Sequence, residues 1–268
     1  MTLAAPEYGG FKKYAIQTPE ISWIPARDGF MIPVSVTKPR DFDPSRKYPV
    51  IITVYGGPSA PEISNSFQNN VWDNVLGNNG YICAKVDNRA ATGISKKLEN
   101  LISMRSPGEI ELNDLVDGAR WLKKQPYVDP ERVGVTGWSG GGTNTVLAMT
   151  RSTEFKAGIA GGTVTDFRFY DSKWAEALMK TEKENLKGYE ENSLLKYAKD
   201  LHGKLMLVHG THDDNVHIQN IWAFINELIK ANKLFELMVY PLRGHGVGDP
   251  AGRAHFNNVQ LDFWKRNL

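Results

Sequence analysis

One serine among glycines, one acid pair beside a histidine, and one late histidine between glycines give this chain the means for nucleophilic chemistry. The serine is Ser139, in Gly137-Trp138-Ser139-Gly140-Gly141-Gly142. It follows a β-branched run at 132–136 and precedes residues 143–149, which can wind as a helix. A serine on a sharp strand-to-helix turn needs small neighbours, because the turn is strained and the helix behind it packs close. A hydroxyl is a poor nucleophile unless a base takes its proton as it attacks. Imidazole suits that task because it gains and loses a proton near working pH. A carboxylate can then fix the imidazole tautomer and stabilise the imidazolium. In chain order the candidates are Ser139, Asp213 (in Gly210-Thr211-His212-Asp213-Asp214-Asn215) and His245 (in Gly244-His245-Gly246). The chemistry expected is acyl transfer: an acyl-enzyme on Ser139, then hydrolysis by water that His245 activates. The tetrahedral intermediate needs donors for its oxyanion, and losing one typically raises the barrier by about 2.7–4 kcal/mol. The backbone N–H of Gly140, just after the nucleophile, is the natural first donor. Tyr55, a phenol in Tyr55-Gly56-Gly57, is the candidate second.

These residues need a scaffold that gathers them. Apolar runs predict strands over 49–55, 81–86, 132–136, 156–161, 204–209 and 235–240. Helical spacing predicts helices over 66–76, 109–124, 143–149, 193–201, 216–231 and 254–264, while 165–200 reads as irregular and aromatic up to the helix at 193. Before residue 49 the chain is extended, with an alternating run at 30–37. Strands alternating with helices predict an α/β fold: a mostly parallel, doubly wound sheet covered by helices on both faces. In such sheets the chemistry sits at the carboxyl ends of strands, and Tyr55, Ser139, Asp213 and His245 all fall there. The Ser…Asp…His order is the one expected of the α/β-hydrolase fold. The domain expected spans 30–268, with residues 1–29 an N-terminal extension packed on it.

The chain resembles the catalytic domain of the prolyl oligopeptidase family, most of all its dipeptidyl peptidase IV branch. The resemblance rests on Val54-Tyr55-Gly56-Gly57-Pro58, Gly137-Trp138-Ser139, His209-Gly210-Thr211-His212-Asp213-Asp214-Asn215-Val216-His217, Gly244-His245-Gly246 and Glu190-Glu191-Asn192-Ser193-Leu194-Leu195. It runs from about residue 32 to the C-terminus. It implies a cofactor-free serine peptidase with Ser139 as nucleophile, Asp213 as orienting acid, His245 as base and Tyr55 as side-chain oxyanion donor. It also implies an apolar slot for proline or alanine at P1, the residue on the acyl side of the scissile bond. The matching positions are Val164, Phe167, Tyr170, Trp174 and Val216, with Asn215 meeting a substrate carbonyl. Three departures qualify it. The branch usually has tyrosine where Gly140 stands, so one wall of the slot is enlarged. The segment 173–179 differs from the usual pattern. The family places a β-propeller before this domain and none is read here, which suggests an excised or separately encoded module, or a member with different work.

Composition narrows the rest. Of 268 residues, 41% are hydrophobic and 23% charged, with 32 basic against 30 acidic, so no basic surface argues for nucleic acid. No apolar run reaches membrane-spanning length, and the first ten residues lack a signal-peptide pattern. Cys83, the lone cysteine, reads as a buried thiol in a strand and gives no indication of compartment. His209, His212, Asp213, Asp214 and His217 are crowded enough to suggest zinc, but their spacing fits no established ligand set and no metal is expected. His217 is expected to cap or pack in the first turn of a helix, and His202 and His255 to lie at surface or cap positions. The substrates expected are a peptide or, on the rival carboxylesterase reading, a small acyl ester. A silent hydrolase fold acting as a binding module is the third reading, opposed by the intact Ser139, Asp213 and His245. A second copy, or a separate propeller, is left open as the cover of the face beside the site.

Overall fold

Aliphatic and β-branched runs without charged interruption supply the centre of an eight-stranded sheet in the computed structural model, which describes residues 16–64 and 71–268. The strands are β1 (Glu20–Pro25), β2 (Met31–Thr37), β3 (Tyr48–Thr53), β4 (Ile82–Val86), β5 (Val128–Trp138), β6 (Ala157–Gly161), β7 (Lys204–Gly210) and β8 (Glu236–Tyr240). Their spatial order is β1-β2-β4-β3-β5-β6-β7-β8. The pairs β1/β2 and β2/β4 are antiparallel, and every pair from β4/β3 to β7/β8 is parallel. The α/β-hydrolase fold is therefore present, with a mostly parallel sheet.

Because side chains alternate across a strand, a run such as Val50-Ile51-Ile52 feeds both faces of the sheet. Val50, Ile52, Val133, Val135 and Leu207 belong to one core, beneath α3 (Glu109–Lys123), α4 (Gly140–Arg151) and α7 (Gln219–Lys230). Ile51, Cys83, Ile159, Met206 and Val208 belong to the other, with Leu76 of α1 (Val71–Asn78) and Phe263 and Trp264 of α8 (Pro250–Asn267). The remaining helices are α2 (Lys96–Glu99), α5 (Ser172–Met179) and α6 (Leu186–Asn192). Two arginine–aspartate clamps fix the β1–β2 turn to α3. Arg27 pairs with Asp117 at 2.9 Å, and Arg89 reaches both the buried Asp114 at 2.7 Å and Asp28 at 2.6 Å.

Several elements differ from the sequence expectation. β1 went unread because Ile21 and Trp23 point to solvent, at 42% and 53% exposure, which inverts the pattern of a half-buried strand. The helix expected over 193–201 is a 3-10 helix at Leu194–Asp200. The stretch expected to be irregular holds α5 and α6, each only about two turns long and so too short to repeat an apolar face clearly. Of the helix expected over 66–76, residues 66–70 lie outside the described residues and the rest falls within α1. The boundary drawn at residue 30 falls in the β1–β2 turn, and residues 1–15 of the expected extension lie outside the described residues.

Candidate active site

Ser139 stands at the turn from β5 into α4 with φ 59° and ψ −121°, a conformation that costs a non-glycine residue about 1–3 kcal/mol. The surrounding backbone holds it there. Its N–H donates to Gly161 O at 2.8 Å, and its carbonyl accepts from Thr143 N–H at 3.0 Å. A Cβ at Gly137 or Gly141 would overlap the Val54 carbonyl, so the chain leaving β3 lies directly against the turn. That approach brings Tyr55 beside Gly140. A Cβ at 140 would lie 3.5 Å from the ring carbon that bears the Tyr55 hydroxyl. Gly140 opens α4, so its N–H has no acceptor four residues back in the helix. Asn144 secures this corner, donating to Tyr55 O at 3.0 Å and Gly140 O at 3.1 Å, while Asn88 donates to Gly56 O at 3.0 Å.

Asp213 follows β7, and its carboxylate is fully buried. Oδ1 accepts from the N–H groups of Asn215 and Val216 at 3.1 and 2.8 Å. Oδ2 lies 2.8 Å from His245 Nδ1 and 3.3 Å from His209 Nε2. Burial alone would raise the Asp213 pKa. The hydrogen bonds from His209, His245 and the Val216 N–H outweigh it and hold the carboxyl well below the usual range. With Nδ1 of His245 donating to Asp213, Nε2 carries the lone pair that can take a proton. His245 is further fixed through its carbonyl, which accepts from Trp138 Nε1–H at 2.6 Å. The residue before the serine thus anchors the loop that bears the histidine.

A pocket opens beside Ser139. Tyr55, Gly140, Val164, Phe167, Tyr170 and Trp174 line it, and the Trp174 ring stands 5.5 Å from Phe167 and 5.6 Å from Tyr170. Asn215 meets this group through its side-chain oxygen, which accepts from the Tyr170 hydroxyl at 3.0 Å. Val216 is fully buried and is not part of the pocket wall. Sequence reasoning did not single out Ser106, Pro107, Thr143 or Asn144, which also line the pocket. Thr143 and Asn144 follow Gly140 by one helical turn, a spacing that could have marked them.

The other histidines serve the fold. His209 is buried, and its Nε2–H donates to Val216 O at 2.8 Å. His217 Nδ1 accepts from Gln219 N–H at 3.3 Å, at the start of α7. His255 lies on the exposed side of α8, 3.0 Å from the Tyr240 hydroxyl. His202 is half-buried in the loop before β7, and burial pushes its pKa down. Cys83 is buried in β4, where burial pushes its thiol pKa well up. Among the described residues no three His, Cys, Asp or Glu side chains are grouped to hold a metal ion.

The model of the prolyl oligopeptidase family matches residues 66–268. The chain is similar to mouse dipeptidyl peptidase 8, with 33% identity over 257 residues that cover 93% of this chain and 29% of that protein. The crystal structure of Porphyromonas gingivalis dipeptidyl peptidase 4 superimposes with a TM-score of 0.89 at 36% identity, covering 94% of this chain and 36% of that one. A structure described as a dipeptidyl aminopeptidase IV from Bacteroides ovatus gives a TM-score of 0.91 at 37% identity, covering 96% and 37%. The chain therefore spans less than two fifths of the length of these relatives.

Proposed function

The chain belongs to the prolyl oligopeptidase family, and from that premise we propose that it is a serine peptidase acting through an acyl-enzyme on Ser139. The observation that carries the reading is the 2.8 Å bond between His245 Nδ1 and a buried Asp213 carboxylate, set at strand ends beside a strained serine. In the proposed mechanism His245 Nε2 takes the Ser139 proton as Oγ attacks the scissile carbonyl. The Gly140 N–H and the Tyr55 hydroxyl receive the oxyanion. The imidazolium, stabilised by Asp213, protonates the departing amine, and the same imidazole then activates the water that releases the acid. A proline or alanine side chain at P1 would gain mainly from contact with the aromatic wall of Phe167, Tyr170 and Trp174. The relatives are named dipeptidyl peptidases. For this chain the proposal is cleavage of the peptide bond after such a residue.

The substrate is a peptide. Among the described residues no helix is long and apolar enough to cross a membrane. The chain spans only part of its relatives' length, and a further domain or a second copy over the strand-end face that carries the pocket is part of the proposal. The test is hydrolysis of a dipeptide p-nitroanilide with P1 proline beside p-nitrophenyl acetate, each with wild type and Ser139→Ala. Wild type is expected to cleave the anilide, and Ser139→Ala to lose at least about 1,000-fold in kcat while staying folded. Ester cleavage alone would replace the peptidase reading with the carboxylesterase one, and an active Ser139→Ala would remove the site assignment.

A further inference from the structure

We propose that Asn144 is a positioning residue for the reaction. Its side-chain amide sets where the Tyr55 hydroxyl stands relative to the Gly140 N–H, and so fixes the shape of the oxyanion site; this rests on the serine peptidase reading. The two donors come from different elements. Gly140 opens α4 and is held by the helix, whereas Tyr55 lies beyond the end of β3. The bonds between β3 and β5 run as far as Val54 N–H, which donates to Thr136 O at 2.9 Å. Past that point the carbonyls of Tyr55 and Gly56 accept from two asparagine side chains instead of from a neighbouring strand.

The amide of Asn144 can face this turn in one way only. Both atoms opposite it are carbonyl oxygens, which accept and never donate, so its nitrogen end is the one turned to them. Its two N–H groups are used there, on Tyr55 O at 3.0 Å and Gly140 O at 3.1 Å. One nitrogen thus joins the two residues that offer the oxyanion its donors. Only glycine at 56 leaves room for it: the backbone there has φ 84°, and a Cβ would come within 2.5 Å of that nitrogen. From the other side Asn88, also buried, donates to Gly56 O while its Oδ1 accepts from the Ala90 and Ala91 N–H groups. A displacement of the phenol by about an ångström would be enough to slow the reaction on the order of 100-fold.

The helix by itself gives little reason for an asparagine here. Gly140 O is an α4 carbonyl whose ordinary partner is the N–H four residues on, so the helix does not need the side-chain bond. Asparagine is also a poorer helix former than leucine or alanine. Asn144 Oδ1 is buried and has no hydrogen-bond partner among the described residues, which lowers stability. What the side chain adds against these losses is the tie to Tyr55.

The experiment is a double-mutant cycle on wild type, Asn144→Leu, Tyr55→Phe and the double variant. It measures kcat and KM for the P1-proline anilide and for p-nitrophenyl acetate, with a thermal melt of each protein. Leucine keeps the branched outline of asparagine without its hydrogen bonds, and Asn144→Ala, which cannot crowd the turn, is run beside it. Tyr55→Phe is expected to lose about 100-fold in kcat. Either substitution at 144 is expected to lose about tenfold in kcat, with KM within about twofold and Tm within about 4 °C of wild type. In the Tyr55→Phe background the same substitutions are expected to cost less than about threefold, because the group they position is gone. Fully additive losses, a loss confined to KM, or an unchanged kcat with a lowered Tm would each overturn the proposal. A wild type that cleaves the ester alone would remove the peptidase reading, and the cycle measured on the ester would still decide the role of Asn144. Cleavage of neither substrate would remove both.

Discussion

Asp213 Oδ2 faces two imidazoles, and their hydrogen bonds keep the carboxyl ionised through the acid range despite burial. The consequence is a separation of protons. Only a neutral His245 can accept from Ser139, and Asp213 is already charged at every pH where that matters. The acid limb of kcat/KM is therefore expected to lose activity with falling pH at a slope of one proton, followed with the P1-proline anilide from pH 8 to pH 5. A slope of two would mean that the Asp213 carboxyl or a second imidazole titrates with the base. A rate that does not fall on acidification would mean that another group accepts the proton. His209 is a residue to which the sequence reading gave no role beyond a discounted zinc cluster. Its Nε2 bonds the Val216 carbonyl and lies near the Asp213 carboxylate.

β5 and α4 carry more than the serine at their junction, since Trp138 at the end of β5 donates to the carbonyl of His245 and packs against Phe256 of α8 at 5.4 Å. Trp138→Phe keeps most of that packing and removes the donor. It is expected to lower kcat about tenfold with little change in KM, because the loss falls on orientation of the base. An equal rise in KM would assign Trp138 to substrate binding. The fold was legible in the sequence where a strand carried an apolar run, as in β3, β7 and the second half of β5, or a helix a regular apolar face, as in α7. Its exceptions have physical causes. β1 shows its large apolar residues to solvent, and α5 and α6 are a turn or two of helix stabilised by side-chain caps such as Asp171 and Asn185. Tyr55, Ser139, Asp213 and His245 were legible as positions because each ends a strand beside glycine or a turn. Ser106 and Pro107 were not, since they reach the pocket from a loop with no periodic pattern and no sequence proximity to the serine. Val216 was placed in the pocket by likeness, while its burial and its N–H bond to Asp213 give it a place beneath the site.

The molecule as a whole holds carboxyl groups shifted in both directions, and its stability should follow them with pH. Glu111 is buried at the start of α3, and burial pushes its pKa from the ordinary 4.5 up to about 7 against the opposing hydrogen bonds from Ser106 and the Gly108 N–H. A carboxyl raised on folding contributes stability that is complete below its unfolded value and disappears as pH rises through the folded one. Asp87, raised by burial to about 6, has the same sign. Thermal melts are expected to show Tm falling between pH 5 and pH 8 in wild type and falling less in Glu111→Gln, which keeps an acceptor for Gly108 and cannot ionise. Parallel curves for the two proteins would mean that Glu111 does not titrate in that window. The sheet order has its own consequence for how the protein fails. Ser139 leaves β5 and His245 comes in the loop after β8, and those two strands lie three spacings, or about 14 Å, apart across the sheet. Within the described sheet β8 pairs on one side only. Local openings span free energies from near zero up to that of global unfolding, and strands paired on one side are candidates for the lower end. If β8 opened alone, the serine and the histidine would part while β5 kept its neighbours, and activity is then expected to fade under mild stress before the protein melts, a difference that activity and circular dichroism followed together would reveal.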